Sequence, residues 1–546
     1  MVISSNPLAD QLIKRREDLK TARSILEADW QVVADLVRDH TADFYGSKLQ
    51  PTDHRREGQY DSTPVDALEE FAGGLMGFLT NPTDRWFSLT VEEPQDLGYD
   101  HEALEWLELV ADIIYKEYNK PAALFNSCIH ETYLDIGAFG TAILYQDWNF
   151  KKQSLRFKAY PLADCILMEN ADGDVDTLYR SCKLSIRQMI QQFGFDALPD
   201  KLKDKADTHP DEMFELLHAV FPREDRDTNK FTRNNKKFAS IYIHLDDKHI
   251  LEEGGFDSFP FHCPRWLKLA GQIYGKGPGV KCLPDIKMLN RMEITLIKAA
   301  QKLADPPIQA ESEGFMLPIR TSPGSIIFRE PGMEPAELLT PKGSVTYPIG
   351  EEKAEQKREH IRKCFFNDVI KMEKEKVEMT AFEVADRRDE KLRKMSPMLG
   401  RLQSELLDHM IMRSYSLLDL VGRIPPAPPS LQGHRLRVGY ESAAARAQTG
   451  VKAQAMAQFF QDLIPMAQAK PDVIDAIDDD MWIQELAKAR KVPMVVVRSL
   501  EEIAAIRQER QQQQQMQQMA EVAGPASQAV KNVAEAQEAL GGSALL

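Results

Sequence analysis

Paired cysteines are missing from this sequence. Six cysteines are scattered along the chain and no two of them stand in a CxxC arrangement. This spacing argues against a zinc knuckle and against a disulfide framework. We expect all six to be reduced and most to be buried as small apolar side chains. They are Cys128, Cys165, Cys182, Cys263, Cys282 and Cys364.

Long hydrophobic runs are also missing. Nowhere does the chain have the run of about 18 apolar residues that a membrane-spanning helix needs. The N-terminal segment MVISSNPLADQLIKRRED has no apolar core of the kind that a signal peptide carries. The expectation is a protein that is made and kept in a cytosol and has no membrane partner.

An excess of positive charge is the third absence. The chain has 68 Lys and Arg residues against 84 Asp and Glu residues, which gives a formal net charge of −16. Proteins that grip nucleic acid by neutralising its phosphates have the opposite balance. If DNA is a partner, the chain must not hold it tightly.

Nucleotide-binding motifs are absent as well. The glycines of YGKGPG, at positions 275, 277 and 279, suggest a phosphate loop at first sight. A phosphate loop needs Gly-Lys followed by Ser or Thr at the start of a helix, whereas Lys276 is followed by Gly277 and Pro278. We interpret this segment as a turn before a helix.

The sequence contains no convincing metal site. Asp172, Asp174 and Asp176 have the spacing of a calcium loop, but Thr177 stands where the sharp turn needs glycine and Lys183 where the bidentate glutamate belongs. A solvated turn between strands is the better interpretation. No metal and no cofactor is expected.

Catalytic motifs are missing too. The twelve histidines include no HExxH, and no Gly-x-Ser-x-Gly occurs. His130-Glu131 on a predicted helix is more typical of a packed pair, and Asp478-Asp479-Asp480 is more typical of a helix cap. The sequence therefore does not require an enzyme. A DNA-processing hydrolase with carboxylates from distant residues stays an alternative.

What is present is the composition of a folded protein. Hydrophobic residues make up 43% and charged residues 28% of the chain, which is typical of soluble globular proteins. The length predicts about three or four domain-sized units.

The N-terminal half has alternating helix and strand patterns. Residues 238–251 predict a hairpin around Asp246-Asp247, because β-branched and aromatic residues crowd both sides of that turn. The predicted helices of this half are residues 8–45, the segment from Pro64 to Asn81-Pro82, 101–118 and 125–137. The further predicted strands are 141–145, 155–160 and 165–168.

Two predicted helices bracket a proline- and glycine-rich segment. The first runs along residues 284–304 and stops at Pro306-Pro307. Residues 308–349 then have six prolines and two β-rich runs. The second helix begins near Glu351, with apolar residues at four-residue spacing, and leads into the charged run KMEKEKVEMT at 371–380. The predicted order is therefore helix, proline- and glycine-rich segment, helix. We call this arrangement of two helices around the segment the pin.

Three long blocks resemble the head-to-tail connector, or portal, family of podovirus-type, short-tailed bacteriophages. They are YDSTPVDALEEFAGGLMGFLTNPTDRWFSL (60–89), IYGKGPGVKCLPDIKMLNRMEITLIKAAQKLADPP (273–307) and MTAFEVADRRDEKLRKMSPMLGRLQSELL (379–407). Their order and spacing also fit the family. The resemblance covers about residues 10–420 and weakens through the glutamine-rich C-terminus.

The resemblance implies an α+β, mainly helical chain with the portal fold of wing, stem, clip and crown or barrel regions. The implied regions are a mixed α+β wing (1–280), a first stem helix (281–307), a β-rich clip (308–349), a second stem helix (350–370), a tunnel-loop region (371–395), a long wing helix (396–430) and a helical crown or barrel with a glutamine-rich mobile tail (431–546).

The resemblance also implies a function without an active site. The family forms a homo-oligomeric ring, typically of twelve subunits, at one capsid vertex of the virion. Double-stranded DNA passes through its channel during packaging and ejection, without sequence specificity. The implied partners are the terminase large subunit, the tail adaptor or tail tube protein, and the major capsid and scaffolding proteins, with assembly in the cytoplasm of the bacterial host.

Two groups of candidate contact residues follow from the implied regions. Lys371, Lys374 and Lys376 lie in the tunnel-loop region and are candidates for weak contacts with DNA phosphates, although a solvated charged surface is the usual meaning of such a run. Arg320, Glu330 and Glu334 lie in the clip and are candidates for contacting terminase and adaptor, or alternatively neighbouring subunits. A tail adaptor or internal virion protein is the other structural alternative, and it is expected to lack the pin.

Overall fold

The computed structural model describes most of the chain. The described residues are 7–38, 43–44, 58–92, 101–227, 232–304, 308–309, 337–338, 347–370, 395–440, 479–490 and 502–515, with a few single positions between 455 and 498. In this part of the chain, no helix is both long enough and apolar enough to cross a membrane.

The chain divides into two compact units. One contains Met1–Trp86 and Asp112–Ile424, and the other contains Phe87–Ala111 and Pro425–Leu546. The sequence did not indicate that residues 87–111 group with the C-terminal part of the chain.

Helices account for most of the regular structure. They are α1 (Pro7–Leu36), α2 (Thr63–Leu79), α3 (His101–Tyr118), α4 (Phe125–Phe139), α5 (Ile186–Phe193), α6 (Asp200–Lys205), α7 (Pro278–Lys281), α8 (Leu283–Ala304), α9 (Tyr347–Cys364), α10 (Asn367–Ile370), α11 (Ser396–Leu402), α12 (His409–Leu420) and α13 (Asp479–Arg490), with residues 502–515 also helical.

The strands form antiparallel sheets. They are β1 (Phe87–Val91), β2 (Ile143–Asn149), β3 (Ser154–Tyr160), β4 (Cys165–Glu169), β5 (Val175–Ser185), β6 (Met213–Pro222), β7 (Phe238–His244), β8 (His249–Phe256), β9 (Phe261–His262), β10 (Ile308–Gln309), β11 (Glu337–Leu338) and β12 (Leu436–Tyr440). Together with the helices they confirm the predicted α+β, mainly helical class.

The largest sheet is a five-stranded meander in the order β4-β5-β6-β7-β8. Successive side chains of a strand point to opposite faces, so Leu216 and Leu217 of β6 belong to different cores. Leu217 packs with Leu12 of α1 on one face, and Leu216 packs with Met189 of α5 on the other. The predicted hairpin at 238–251 is confirmed by β7 and β8.

A second sheet, in the order β3-β2-β9, lies in the same unit. Gln146 of β2 is fully buried and forms three hydrogen bonds with neighbouring residues. Its amide nitrogen donates to Ser414 at 2.6 Å, its amide oxygen lies 2.8 Å from His262 Nε2, and its carbonyl accepts from Arg413 at 3.1 Å. These bonds fix α12 to the sheet.

Two buried histidines give this unit a predictable response to acid. His218 and His262 are each 2% exposed. Burial lowers the pKa of both well below the ordinary value, and the positive charges of Arg180 beside His218 and Arg413 beside His262 lower it further. Both histidines are therefore neutral in the folded chain near pH 7.

We expect the free energy of unfolding to fall as the pH is lowered from 7.5 to 6. The unfolded chain protonates both histidines near pH 6.5 while the folded chain does not, so each contributes a slope that approaches about 1.4 kcal/mol per pH unit. Urea titrations of the wild type and of the double variant His218→Gln/His262→Gln measure it. Asp135, whose pKa burial raises to about 6, is retained in both proteins and cancels in the comparison. Equal slopes in the two proteins would contradict the expectation.

The YGKGPG segment packs its glycines against the end of α4. Gly140, which follows α4, has φ +87°. The amide of Gly275 donates to Thr141 at 2.8 Å, and the amide of Lys276 donates to the carbonyl of Leu267 at 2.8 Å. A Cβ on Gly277 would lie 2.6 Å from the carbonyl oxygen of Ile136. The glycines allow the backbone of this segment to contact the backbone at the end of α4. This agrees with the predicted turn before a helix. The amides of Gly275 and Lys276 are hydrogen-bonded within the protein.

Arg265 is a heavily hydrogen-bonded side chain of the first unit. Its side chain is 3% exposed. It forms a forked pair with Glu405, with nitrogen–oxygen distances of 2.8 and 3.1 Å, and an ion pair with Glu169. It also donates to the carbonyl of Gly173 at 3.0 Å. Burial opposes its charge, but the bonds to Glu405 and the charge of Glu169 outweigh burial and raise its pKa.

Of the strand pairs in the described part of the chain, the one in the second unit joins the most distant segments. β1 pairs with β12 in antiparallel register from Phe87 opposite Tyr440 to Val91 opposite Leu436. In the same unit Trp106 donates its indole N–H to the carbonyl of Pro425 at 3.0 Å. The sequence predicted a helical crown or barrel with a glutamine-rich tail over 431–546 and did not predict β12, in which Leu436, Val438 and Tyr440 alternate and pair with the edge that β1 offers.

Candidate functional site

The candidate site is the helix pair α8–α9, which carries the segment predicted to make external contacts. Neither group of predicted contact residues can be placed. Lys371, Lys374 and Lys376 lie outside the described residues, and so do Arg320, Glu330 and Glu334. The structure therefore describes the support of these groups but not the groups themselves.

The first helix agrees closely with its prediction. α8 begins at Leu283 and ends at Ala304, within the predicted 281–307. Pro284 suits the first turn, and the carboxylate of Asp285 in that turn interacts favourably with the helix dipole. At 1.5 Å per residue the helix is about 33 Å long.

A short strand pair closes the base of the intervening segment. Ile308 of β10 pairs with Leu338 of β11, and Gln309 pairs with Glu337. Because this ladder is antiparallel, the chain leaves α8 and returns toward α9 at one place. The ladder thus brings two points of the segment between α8 and α9 together, and the rest of the predicted clip up to α9 lies outside the described residues.

α9 runs antiparallel to α8 and is tied to it by ion pairs. Asp285 near the start of α8 contacts Lys357 at 2.7 Å and His360 Nε2 at 3.3 Å in the second half of α9. Near the other end, Leu296 lies against Gly350. The two helices therefore form an antiparallel pair along most of their length.

Arg358 fastens the helix pair to the start of α2. It contacts Asp61 at 2.9 Å, Glu293 of α8 and, at 3.0 Å, Glu355 of its own helix. Burial opposes the ionisation of Asp61, but hydrogen bonds from Thr63 and Arg358 outweigh burial, and its pKa lies below the usual value. The helix pair that carries the segment between α8 and α9 is thus held to the start of α2 by charged contacts.

The second helix is interrupted, which the sequence did not predict. The helix predicted over 350–370 consists of α9, which ends at Cys364, and α10, which begins at Asn367. Phe366 between them has φ +59°. The break lets Phe365 pack fully buried against Phe71, with ring centroids 6.3 Å apart, and lets Asn367 donate to Glu70 at 2.8 Å.

The long helix predicted over 396–430 is also different in detail. α11 passes through a π-helical turn, Gln403–Asp408, into α12, which ends at Leu420. Gly422 at φ +70° and the prolines that follow it end the helix inside the region 396–430, as the sequence pattern indicates. The π-helical turn contains Glu405, which binds Arg265.

The other sequence motifs have structural partners. Asp172 and Asp174 stand in the turn between β4 and β5, where Asn170 accepts from both of their amides at 2.9 Å. Glu131 pairs with Arg38. Asp480 at the start of α13 pairs with Arg507 at 2.7 Å. Within the residues that the structure describes, no group of three or more possible ligands could hold a metal ion.

Sequence reasoning missed the residues that build the support. Arg265 and Glu405 are 140 residues apart, and Arg358 and Asp61 are 297 residues apart. Each is an ordinary charged residue in its own segment. No local pattern could have paired them.

The chain is similar to known phage proteins over nearly its whole length. The sequence model of the family described as "Bacteriophage head to tail connecting protein" matches residues 9–497. The "Probable portal protein" of Bordetella phage BPP-1 is 29% identical over 517 residues, which cover 91% of this chain and 90% of that protein. The "Portal protein" of Salmonella phage epsilon15 is 28% identical over 514 residues, with 92% and 90% covered. This chain therefore belongs to the family of bacteriophage head-to-tail connecting proteins.

Proposed function

We propose that this head-to-tail connector works as a homo-oligomeric ring at one vertex of a phage capsid, through which double-stranded DNA enters and leaves. The observation that carries the proposal is the family match over residues 9–497, together with two portal proteins whose similarity covers about nine-tenths of the chain. The antiparallel pair α8–α9 and the strand ladder at its end are consistent with it.

The described elements suggest how the regions are arranged. We assign α8 and α9 as the two stem helices and the residues between them, within the predicted 308–349, as the clip. The long helix formed by α11, its π-helical turn and α12 is the wing helix of this proposal. The region around 371–395 is the tunnel loop, and the helices after residue 440 are the crown or barrel.

The charge of the chain suits a conduit. A ring of subunits that each carry a net charge of −16 repels phosphates, so DNA slides through such a channel with little adhesion. Lys371, Lys374 and Lys376 remain the candidates for weak phosphate contacts at one level. Movement of DNA then needs an external motor, and terminase is the partner that supplies it in this proposal.

The purified chain is expected to assemble into rings, about twelve subunits each. Amphipathic helices whose apolar faces have no partner in a single chain favour association; Met288 and Ile297 of α8, for example, are 46% and 39% exposed. Native mass measurement and negative-stain images test this. Monomers alone, across a range of salt and protein concentrations, would contradict the proposal.

Charge reversal in the clip is expected to separate ring assembly from packaging. The variant Arg320→Glu/Glu330→Lys/Glu334→Lys should still form rings, because α8 and α9 contact each other and α2 without these residues. It should yield fewer DNA-filled heads, since terminase and the tail adaptor are proposed to bind there in succession. Particle images and a count of filled heads measure both. Loss of the rings themselves would show instead that the clip joins neighbouring subunits.

A matched control for the clip variant lies on the described part of the chain. Lys183 and Glu215 form an exposed pair at 3.5 Å on neighbouring strands β5 and β6. Reversing both charges there keeps the pair and changes no clip residue. Rings and filled heads should both remain at the wild-type level in this control.

A further inference from the structure

Two cysteines meet where the helix pair α8–α9 begins and ends. Cys282 is the residue directly before α8, and Cys364 is the last residue of α9. The pKa of each of these two thiols is shifted by the other, which is expected of side chains that lie close together. They are 82 residues apart in sequence, and no CxxC motif in the sequence indicates that they lie near each other.

The ion pair between the helices indicates independently that the two cysteines lie at the same level of the pair. Asp285 lies one turn after Cys282, and His360 lies one turn before Cys364. Asp285 and His360 are in contact at 3.3 Å. Residues three or four apart share one face of a helix. Cys282 therefore lies one turn before Asp285, and Cys364 lies one turn after His360. Because the helices are antiparallel, these two displacements are in the same direction, and the two cysteines lie at the same level of the pair.

The two thiols differ in access. Cys282 is 1% exposed, and its sulfur lies 3.9 Å from the carbonyl oxygen of Gly279. Cys364 is partly exposed. The neighbouring Cys282 thiol lowers the pKa of Cys364, and the positive charges of His360 and Lys281 act in the same direction. Cys364 is therefore the thiol that reacts first, and Cys282 is the thiol beside it that resolves the product.

We propose that Cys282 and Cys364 form a reversible disulfide that locks the α8–α9 helix pair. The Cys364 thiolate attacks a low-molecular-weight disulfide, forming a mixed disulfide and releasing one thiolate. The Cys282 thiol then attacks the sulfur of Cys364, and its proton passes to the second small thiolate as that thiolate leaves. Two protein thiols are oxidised and one small disulfide is reduced to two thiols.

The lock closes a covalent loop around residues 283–363. This loop contains both helices and the excursion between them, so the end of the pair at Cys364 can no longer separate. The setting rests on the proposed function: a portal assembles in a reducing cytosol, where the thiols stay free, and leaves the host in a particle exposed to oxidising surroundings.

Oxidised glutathione added to the purified full-length chain tests the disulfide directly. After denaturation, alkylation and peptide mapping, we expect a linked Cys282–Cys364 peptide that dithiothreitol removes. The variant Cys282→Ser should trap glutathione on Cys364, and Cys364→Ser should leave Cys282 free because it is buried. The midpoint of thermal unfolding should rise on oxidation in the wild type but not in Cys282→Ser or Cys364→Ser.

Cys128 supplies the matched control. It is also partly exposed, but burial raises its pKa, and Cys128→Ser should behave like the wild type. Full alkylation of Cys282 and Cys364 after oxidation, or glutathione on Cys364 without linkage in the wild type, would overturn the proposal. The assay does not require rings, so linkage without rings would count against the portal proposal alone, and rings without linkage against the disulfide alone.

Discussion

Replacing Arg265 by methionine is expected to lower the free energy of unfolding of the first unit by about 3 kcal/mol. Methionine keeps the length of the side chain but leaves two carboxylates, Glu405 and Glu169, without their main partner. The loss stays near the lower end of the range for broken buried pairs, because Lys268 still contacts Glu169 at 2.7 Å and Arg401 still contacts Glu405 at 3.2 Å. Urea unfolding followed by tryptophan fluorescence measures it, with Trp266 as the adjacent reporter.

Two further variants separate charge from geometry. Arg265→Lys keeps the charge but loses the planar fork that matches Glu405, so an intermediate loss is expected. Arg187→Met removes an exposed arginine that lies 3.7 Å from Asp211, with both side chains more than 70% exposed, and it should change stability by less than about 0.5 kcal/mol. A loss below about 1 kcal/mol for Arg265→Met would show that the buried pair contributes little.

Replacing Gly277 by alanine is expected to have a still larger effect, about 4 kcal/mol or more. The added Cβ would lie 2.6 Å from the carbonyl oxygen of Ile136, 2.7 Å from the amide nitrogen of Gly140 and 2.8 Å from the carbonyl oxygen of Gly137. All three neighbours are backbone atoms near the end of a buried helix, so they cannot rotate away. The loop and α4 must separate, and we expect little soluble protein and a strongly lowered unfolding temperature.

Gly73 supplies the control for the same chemical change. It lies within α2, and a Cβ there would meet no atom within 4 Å. Gly73→Ala should therefore stabilise the chain by up to about 1 kcal/mol, because alanine favours the helix more than glycine does. Similar unfolding temperatures for the variants at 73 and 277 would refute the assigned contact between the loop and α4.

The sequence predicted elements well where the pattern is local. α8 is marked by its apolar periodicity and by the prolines after it, and the hairpin of β7 and β8 by its crowded β-branched residues. The interruption at Phe366 was not predictable, because the apolar spacing of Ile361, Phe365 and Val369 continues unbroken through it. The break serves Phe71 and Glu70, which are almost 300 residues away in the chain.

The candidate site was predictable only as a region. The resemblance implied two helices around a clip, and the structure describes both helices with a strand ladder between them. The contacts that hold the pair were invisible because charged residues on helix surfaces have the same appearance whether solvated or paired. The meeting of Cys282 and Cys364 was missed for the same reason: separate cysteines suggest buried apolar residues, and only the register of two helices brings them together.

The pairing of β1 with β12 means that β1 cannot acquire its partner strand until residues 436–440 have been synthesised. Ser88 and Gly439, which are linked across this ladder, are 351 residues apart. At roughly 5–20 residues per second, about 18–70 s pass between the synthesis of the two strands. During that time Leu89 and Val91, buried in the finished protein, have no partner strand, and an unpaired edge attracts other chains. A nascent chain that stops before residue 436 therefore carries an aggregation-prone strand, although that strand is the first one of the described chain to be made.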